Sequence, residues 1–204
     1  MPWVLWITGL PGCGKSTVAL KVKELLPDTA VLRMDDLRKI ITPAPTYSDE
    51  EREYVYRALV YTAKTLYEAG QNVIIDATGN KRSWRRLARE LIPAYIEVYI
   101  ECPQELCIER EKTRTDTHAA PKNIYEKGKA GWPVPGINAP YEKPDDPDLT
   151  IYSEKELPEE AAAKIVMLIQ KRQRQFQKGT GLKPAPPMVE YVESQKPKRY
   201  SIVL

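Results

Sequence analysis

The stretch Gly9-Leu-Pro-Gly-Cys-Gly-Lys-Ser-Thr17 constrains this chain more than any other part of it. Three glycines in nine positions let the backbone curl until successive N–H groups converge on one point. An apolar, β-rich run over residues 3–8 ends at the first glycine. Val18, Val22, Leu25 and Leu26 then recur at helical spacing as far as Pro27. A strand, a glycine-rich turn and a helix N-terminus in that order form an anion cradle, because the unpaired amides and the helix dipole point at one spot. Gly9, Gly14, Lys15 and Ser16 complete G-x-x-x-x-G-K-[ST], the P-loop. Gly9, Gly12, Cys13, Gly14, Lys15, Ser16 and Thr17 are therefore expected to hold the phosphates of ATP. Lys15 reaches the β- and γ-phosphates, and the Ser16 hydroxyl ligates Mg²⁺. Cys13 lies at a helix N-terminus, which lowers a thiol's pKa. The preferred reading of Cys13 is nevertheless a small residue that fits.

Further strands read at 30–34, 72–76, 94–101 and, more weakly, 149–152. Helices read at 47–70, 82–92, 103–112 and 158–172. Ser48 and Glu51 make a capping box for the first of these, and Gly70 stops it. Strands alternating with helices predict an α/β fold, the three-layer P-loop NTPase sandwich, with a central parallel sheet covered on both faces. Right-handed crossovers bring every strand's carboxyl end to one edge, where ligands bind.

Asp35 and Asp76 both fall at that edge. Asp35, after the second strand, is placed to take a proton from an incoming hydroxyl, and Arg38 one turn later is placed to clamp an acceptor's anionic group. Asp76 fits the role of metal partner beside Ser16. The two aspartates are able to exchange these roles, and the sequence does not separate them. Arg82, Arg85, Arg86 and Arg89 share a helical stripe, read as a solvated face. Arg110 and Arg114 begin a segment suited to a lid, where a guanidinium stacks on adenine or neutralises the γ-phosphate.

At this point the chain resembles the adenylylsulfate (APS) kinases. "RMDDLR" (33–38) is similar to that family's D-G-D-N-V-R, with Asp35 and Arg38 matching and Arg33 replacing the first aspartate. "YSDEEREYV" (47–55) resembles F-S-x-x-D-R-x-x-N, so Tyr47 and Arg52 are implied to hold APS. "IYEKGKAG" (124–131) and "GINAPYEKPDDPDL" (136–149) resemble L-Y-K-K-A-R-A-G and G-I-D-x-P-Y-E-x-P-x-x-P, which brings in Ile137. Val55 stands where the family has a substrate-binding asparagine, Gly79 where it has a phosphorylatable serine, and Val134 where it has an adenine-stacking phenylalanine. "RMDDLR" and "DATGNKRSWR" (76–85) also resemble polynucleotide 5′-hydroxyl kinases, and Asn80 joins the implied substrate residues. The resemblance implies a kinase that uses ATP and Mg²⁺ to phosphorylate a small anionic nucleotide, APS foremost. A nucleic-acid 5′-hydroxyl or another metabolite is the alternative acceptor, and a nucleotide-driven binding switch the alternative class.

Residues 1–172 are expected to form the P-loop kinase domain, with lid and substrate loops at 113–148, and 173–204 a basic, proline-containing tail. From Lys171 onward there are eight Lys or Arg against two Glu, so only the tail is basic. No apolar run approaches a membrane span. Three cysteines are too few for a disulfide framework and fit a reducing cytoplasm. "YSIVL" (200–204) is able to add a strand to a neighbouring protomer, which leaves room for a homodimer.

Overall fold

The computed structural model describes residues 1–115 and 121–180, with side chains of 176–180 excepted. His118, most of the tail and its "YSIVL" end lie outside the described residues. Five strands form one sheet: β1 (Val4–Thr8), β2 (Thr29–Arg33), β3 (Asn72–Asp76), β4 (Tyr95–Glu101) and β5 (Leu149–Tyr152). Their order is β2-β3-β1-β4-β5, and every neighbouring pair is parallel. The helices are α1 (Lys15–Leu25), α2 (Met34–Ile41), α3 (Asp49–Glu68), α4 (Arg82–Leu91), α5 (Gln104–Thr113), α6 (Ile124–Lys129) and α7 (Pro158–Thr180).

Strand residues alternate between two cores because successive side chains leave opposite faces of a pleated sheet. Leu5 and Ile7 of β1 pack with Val18 and Val22 of α1 and Ile165 and Ile169 of α7. Val4 and Trp6 pack with Val55, Tyr56 and Leu59 of α3 and Trp84 of α4. Each fully buried aliphatic or aromatic side chain contributes about 1.5–3 kcal/mol, so both faces of the sheet are sealed by helices. This is the three-layer sandwich the alternation predicts.

Three details differ from the expectation. Chain direction turns directly from β2 into α2, so Asp35 is a helical residue, not the end of a strand. α7 runs on to Thr180, whereas the sequence pattern ends it at 172. Ser48 does cap α3, accepting from Glu51 N at 3.1 Å, but the Glu51 carboxylate turns away to Thr46 and Arg38 instead of closing the box. No helix among the described residues is long and apolar enough to cross a membrane.

Candidate active site

The sheet order puts β1 between β3 and β4, so the loop leaving β1 lies beside Asp76, the last residue of β3. Arg33 ends β2 in register with Asp76, its Nε 3.9 Å from Oδ2. In the loop itself, Gly12 has φ +78°, and a Cβ there would sit 2.4 Å from the Cys107 carbonyl oxygen. Only glycine fits so close a backbone approach. Lys15 opens α1 and its ammonium donates to the Gly9 and Leu10 carbonyls at 3.0 and 2.8 Å, which keeps the charge on the loop. Cys13 is buried behind the loop, and burial pushes its thiol up despite the pull of Lys15. It is the small packing residue, and the helix N-terminus does not activate it.

A cleft of about 360 Å³ runs from this loop to α2 and α3. Gly12, Gly14, Lys15, Ser16 and Thr17 line its phosphate end; Gly9 and Cys13 lie behind and do not. Asp35, Arg38, Tyr47, Arg52, Asp76 and Asn80 line the rest. Burial raises the Asp35 carboxyl, and the nearby Asp76 charge raises it further, against the pull of Lys15, Arg38 and Arg114. A carboxylate with raised proton affinity is a stronger base. Asp76, by contrast, is buried and faces Arg33.

Arg38 is buried, ion-paired to Glu51 at 2.7 Å and lies 4.9 Å from the centre of the Tyr47 ring. Burial alone would raise the Glu51 carboxyl, but hydrogen bonds from Thr46 and Tyr47 and the Arg38 charge outweigh it and hold it below the ordinary value. An ionised Glu51 thus fixes the Arg38 fork, a role the capping pattern alone does not reveal. Arg52 spends two donors on backbone, Nε to Tyr47 O at 3.1 Å and NH2 to Pro133 O, so it straps two loops together while still lining the cleft. Asn80 donates to Pro140 O at 2.9 Å. Tyr56 also lines the cleft, and its hydroxyl accepts from Gly79 N at 2.9 Å.

Arg110 and Arg114 both reach the cleft. Arg110 is held by Ser153, NH1 to Oγ at 3.1 Å and NH2 to O at 2.8 Å, and Arg114 donates to Pro121 O at 2.8 Å. Ile137 does not line the cleft; it packs against the α1-side core, where glycine at 128 makes room for it. Val134 is buried in the same core and Val55 in the other, so neither presents a side chain to a ligand. The segments at 124–131 and 136–149 instead brace the site. Tyr125 donates to Pro11 O at 2.6 Å, Tyr141 meets Thr8 at 3.0 Å, and Glu142 N donates to Asn80 O at 2.8 Å.

The arginine stripe is not a solvated face throughout. Arg85 is 1% exposed, ion-paired to Glu97 at 2.7 Å and bonded to the Gly79 and Glu142 carbonyls. Arg89 pairs with Glu97 and Asp148, both at 3.2 Å. These charges are consumed in holding α4 to the sheet. For Mg²⁺, a hydroxyl at Ser16 and a carboxylate at Asp76 are hard oxygen donors on one wall of the cleft. Mg²⁺ is typically held by one or two such protein oxygens with substrate phosphates and water supplying the rest. Among the described residues there is no cluster of three or more His, Cys, Asp or Glu able to hold a metal alone. The residues present fit that mode.

A parallel sheet with β1 feeding a phosphate loop, and two carboxylates and an arginine across one cleft, define a P-loop kinase. Residues 1–152 match the profile of the adenylylsulphate kinase family. The chain belongs to that family. It is 36% identical over 180 residues to the adenylyl-sulfate kinase of Pseudomonas aeruginosa, covering 84% of this chain and 87% of that one. It is 33% identical over 174 residues to the adenylyl-sulfate kinase of Halothermothrix orenii, covering 82% and 89%. Among solved structures, the Mycobacterium tuberculosis APS kinase in complex with AMPPNP and APS aligns with a TM-score of 0.73 at 29% identity, over 83% of this chain and 98% of that one.

Proposed function

We propose that this protein transfers the γ-phosphoryl group of ATP to the 3′-hydroxyl of adenylylsulfate, giving 3′-phosphoadenylylsulfate and ADP. The observation that carries this reading is the presence of Asp35 and Arg38 in one cleft with the Lys15 phosphate loop, in a chain whose relatives are adenylyl-sulfate kinases. Asp35 takes the proton of the acceptor hydroxyl. The freed oxygen bonds to the γ-phosphorus as the bond to the bridging oxygen breaks, and ADP leaves. Lys15 and the amides of the loop stabilise the charge on the transferring group. Ser16 and Asp76 would hold Mg²⁺, which when bound offsets phosphate charge. Arg38, Arg52, Tyr47 and Asn80 bind the acceptor, and Arg110 and Arg114 face the nucleotide.

The test is ADP release from ATP and Mg²⁺ with APS or a 5′-hydroxyl oligonucleotide added. APS is expected to raise release sharply and the oligonucleotide not at all. Release that rises with the oligonucleotide and ignores APS refutes the assignment.

A further inference from the structure

Glu111 stands in the last turn of α5, and its side chain is 1% exposed. A carboxylate so far from water is costly unless its charge is met. Oε1 accepts from Ile124 N at 3.2 Å and from Arg114 NH2 at 3.4 Å. Oε2 is buried with no hydrogen-bond partner among the described residues. The first of these bonds caps α6. Asn123, just before that helix, has φ +55° and gives it no side-chain cap, so the amide of Ile124 is met from α5 instead. α6 in turn carries Tyr125, which holds the phosphate loop through Pro11 O. A neutral amide or hydroxyl would cap α6 as well. The charge on Glu111 serves its other partner.

Arg114 follows Glu111 by three residues and lines the cleft, which Glu111 itself does not. Both bonds from Arg114 to described residues run through NH2, to Glu111 and to Pro121 O, and Nε is buried without a partner. Lys15, Asp35 and Arg114 line one cleft. The Arg114 charge is among those that pull the Asp35 carboxyl down, so the guanidinium lies on the side of the reacting groups. Arg110, by contrast, is held by the neutral Ser153.

We propose that Glu111 is a positioning residue for phosphoryl transfer, whose carboxylate aims Arg114 at the γ-phosphate of ATP. This rests on the function proposed above. A long arginine side chain left to itself spreads its charge over many rotamers. Its planar fork presents donors on more than one edge, so one edge bonds Glu111 while another meets a phosphate oxygen. A charge already held in place needs no reorganisation as negative charge develops on the transferring group. The same carboxylate takes Ile124 N, so Arg114 and the α6 brace on the phosphate loop share one anchor.

A double-variant cycle tests the coupling. Glu111→Gln keeps an acceptor for Ile124 N and removes the charge. With ATP, Mg²⁺ and APS saturating, it should lower kcat roughly 10- to 100-fold, the range for a misplaced catalytic group. The KM for APS should not move, because the contact is to the nucleotide. Arg114→Met should lower kcat at least as much, and the double variant no further than Arg114→Met alone, since nothing is left to position. A double variant that falls below Arg114→Met, or an unchanged kcat in Glu111→Gln, overturns the proposal. Should Glu111→Gln fail to fold, Glu111→Asp takes its place in the same cycle, keeping the charge and losing the reach. If the wild type does not turn over APS, the proposed function falls, and calorimetry with ATP and with ADP decides the role of Glu111 by itself. Glu111→Gln should then weaken the preference for ATP over ADP and do nothing more in an Arg114→Met background. A preference equal to that of the wild type, or equal loss in both backgrounds, refutes it.

Discussion

Replacing Gly79 by serine, the residue the resemblance leads one to expect there, should damage this protein. Gly79 has φ +54°, and a Cβ would lie 2.8 Å from Trp6 Cζ2 and 3.1 Å from Cε2 and Nε1. Trp6 has no room to yield. It is fully buried, donates to Ala77 O at 3.0 Å and stacks on Tyr56, which in turn stacks on Trp84 at 3.9 Å. A non-glycine residue in the left-handed region costs about 1–2 kcal/mol, and overpacking a filled core a further 1–3 kcal/mol. The total of about 2–5 kcal/mol lowers Tm by roughly 4–20 °C for a chain of this size. Thermal unfolding followed by circular dichroism measures it on Gly79→Ala and Gly79→Ser. A cycle with Trp6→Phe isolates the clash: the smaller ring should recover about 1–3 kcal/mol in the double variant that it does not give alone. If Gly79→Ser melts within a degree or two of wild type, or the double variant is simply additive, the account of this loop is wrong.

Lys15→Ala removes the cation held on the loop carbonyls and should lower kcat/KM for ATP by about 10²–10³, read in the coupled ADP assay. Asp35→Asn should leave ATP affinity intact by calorimetry while kcat falls about 10²–10⁴. The Asp35 carboxyl is raised in the folded state, so its cost to folding accumulates as pH rises from the ordinary aspartate pKa to that higher folded value and is complete above it. Asp35→Asn should therefore raise Tm at neutral pH, with the gain vanishing below the ordinary aspartate pKa, and the wild-type acid limb of kcat/KM should lie above that ordinary value. Val55→Asn should not recover an acceptor contact. The position is buried in the α3-side core, and an unpartnered amide there costs about 1–3 kcal/mol, so urea unfolding should show a loss of stability with no fall in the APS KM.

The strands and the phosphate loop were legible because their signals are local: apolar runs of four to seven residues, glycine at the turn, and a hydroxyl cap at Ser48. That Asp35, Arg38 and Asp76 share one cleft is legible because the alternation of strands and helices fixes which chain ends share an edge. What escaped depends on partners far along the chain. Arg85 looked like one charge in a stripe, but Glu97 on β4 and the carbonyl of Glu142 make it an interior strut. Glu51 looked like half of a cap, but Arg38 from the preceding helix claims its carboxylate. α2 was missed because nothing between β2 and Asp35 breaks the chain.

Val55, Gly79 and Val134 are the three positions where the chain departs from the polar or aromatic residues of the APS kinase pattern, and one physical cause joins them. Two are sealed in opposite cores and the third is blocked by Trp6. None of the three could contact a ligand by exchanging a single side chain, since each is set by packing around it. The loop over 77–80 is correspondingly fixed by its backbone: Trp6 holds Ala77 O, Thr8 holds Thr78 O at 2.6 Å, Tyr56 holds Gly79 N, and Glu142 N holds Asn80 O. Those partners come from β1, which supplies both Trp6 and Thr8, from Tyr56 of α3 and from the loop that carries Glu142. A loop held at each residue has little freedom to adapt, so under the proposed function acceptor recognition falls to side chains that line the cleft from outside that loop: Arg38, Tyr47 and Arg52. Under that reading specificity rests on the α2–α3 connection, which carries Tyr47 and is tied by buried Arg52 to the turn after α6.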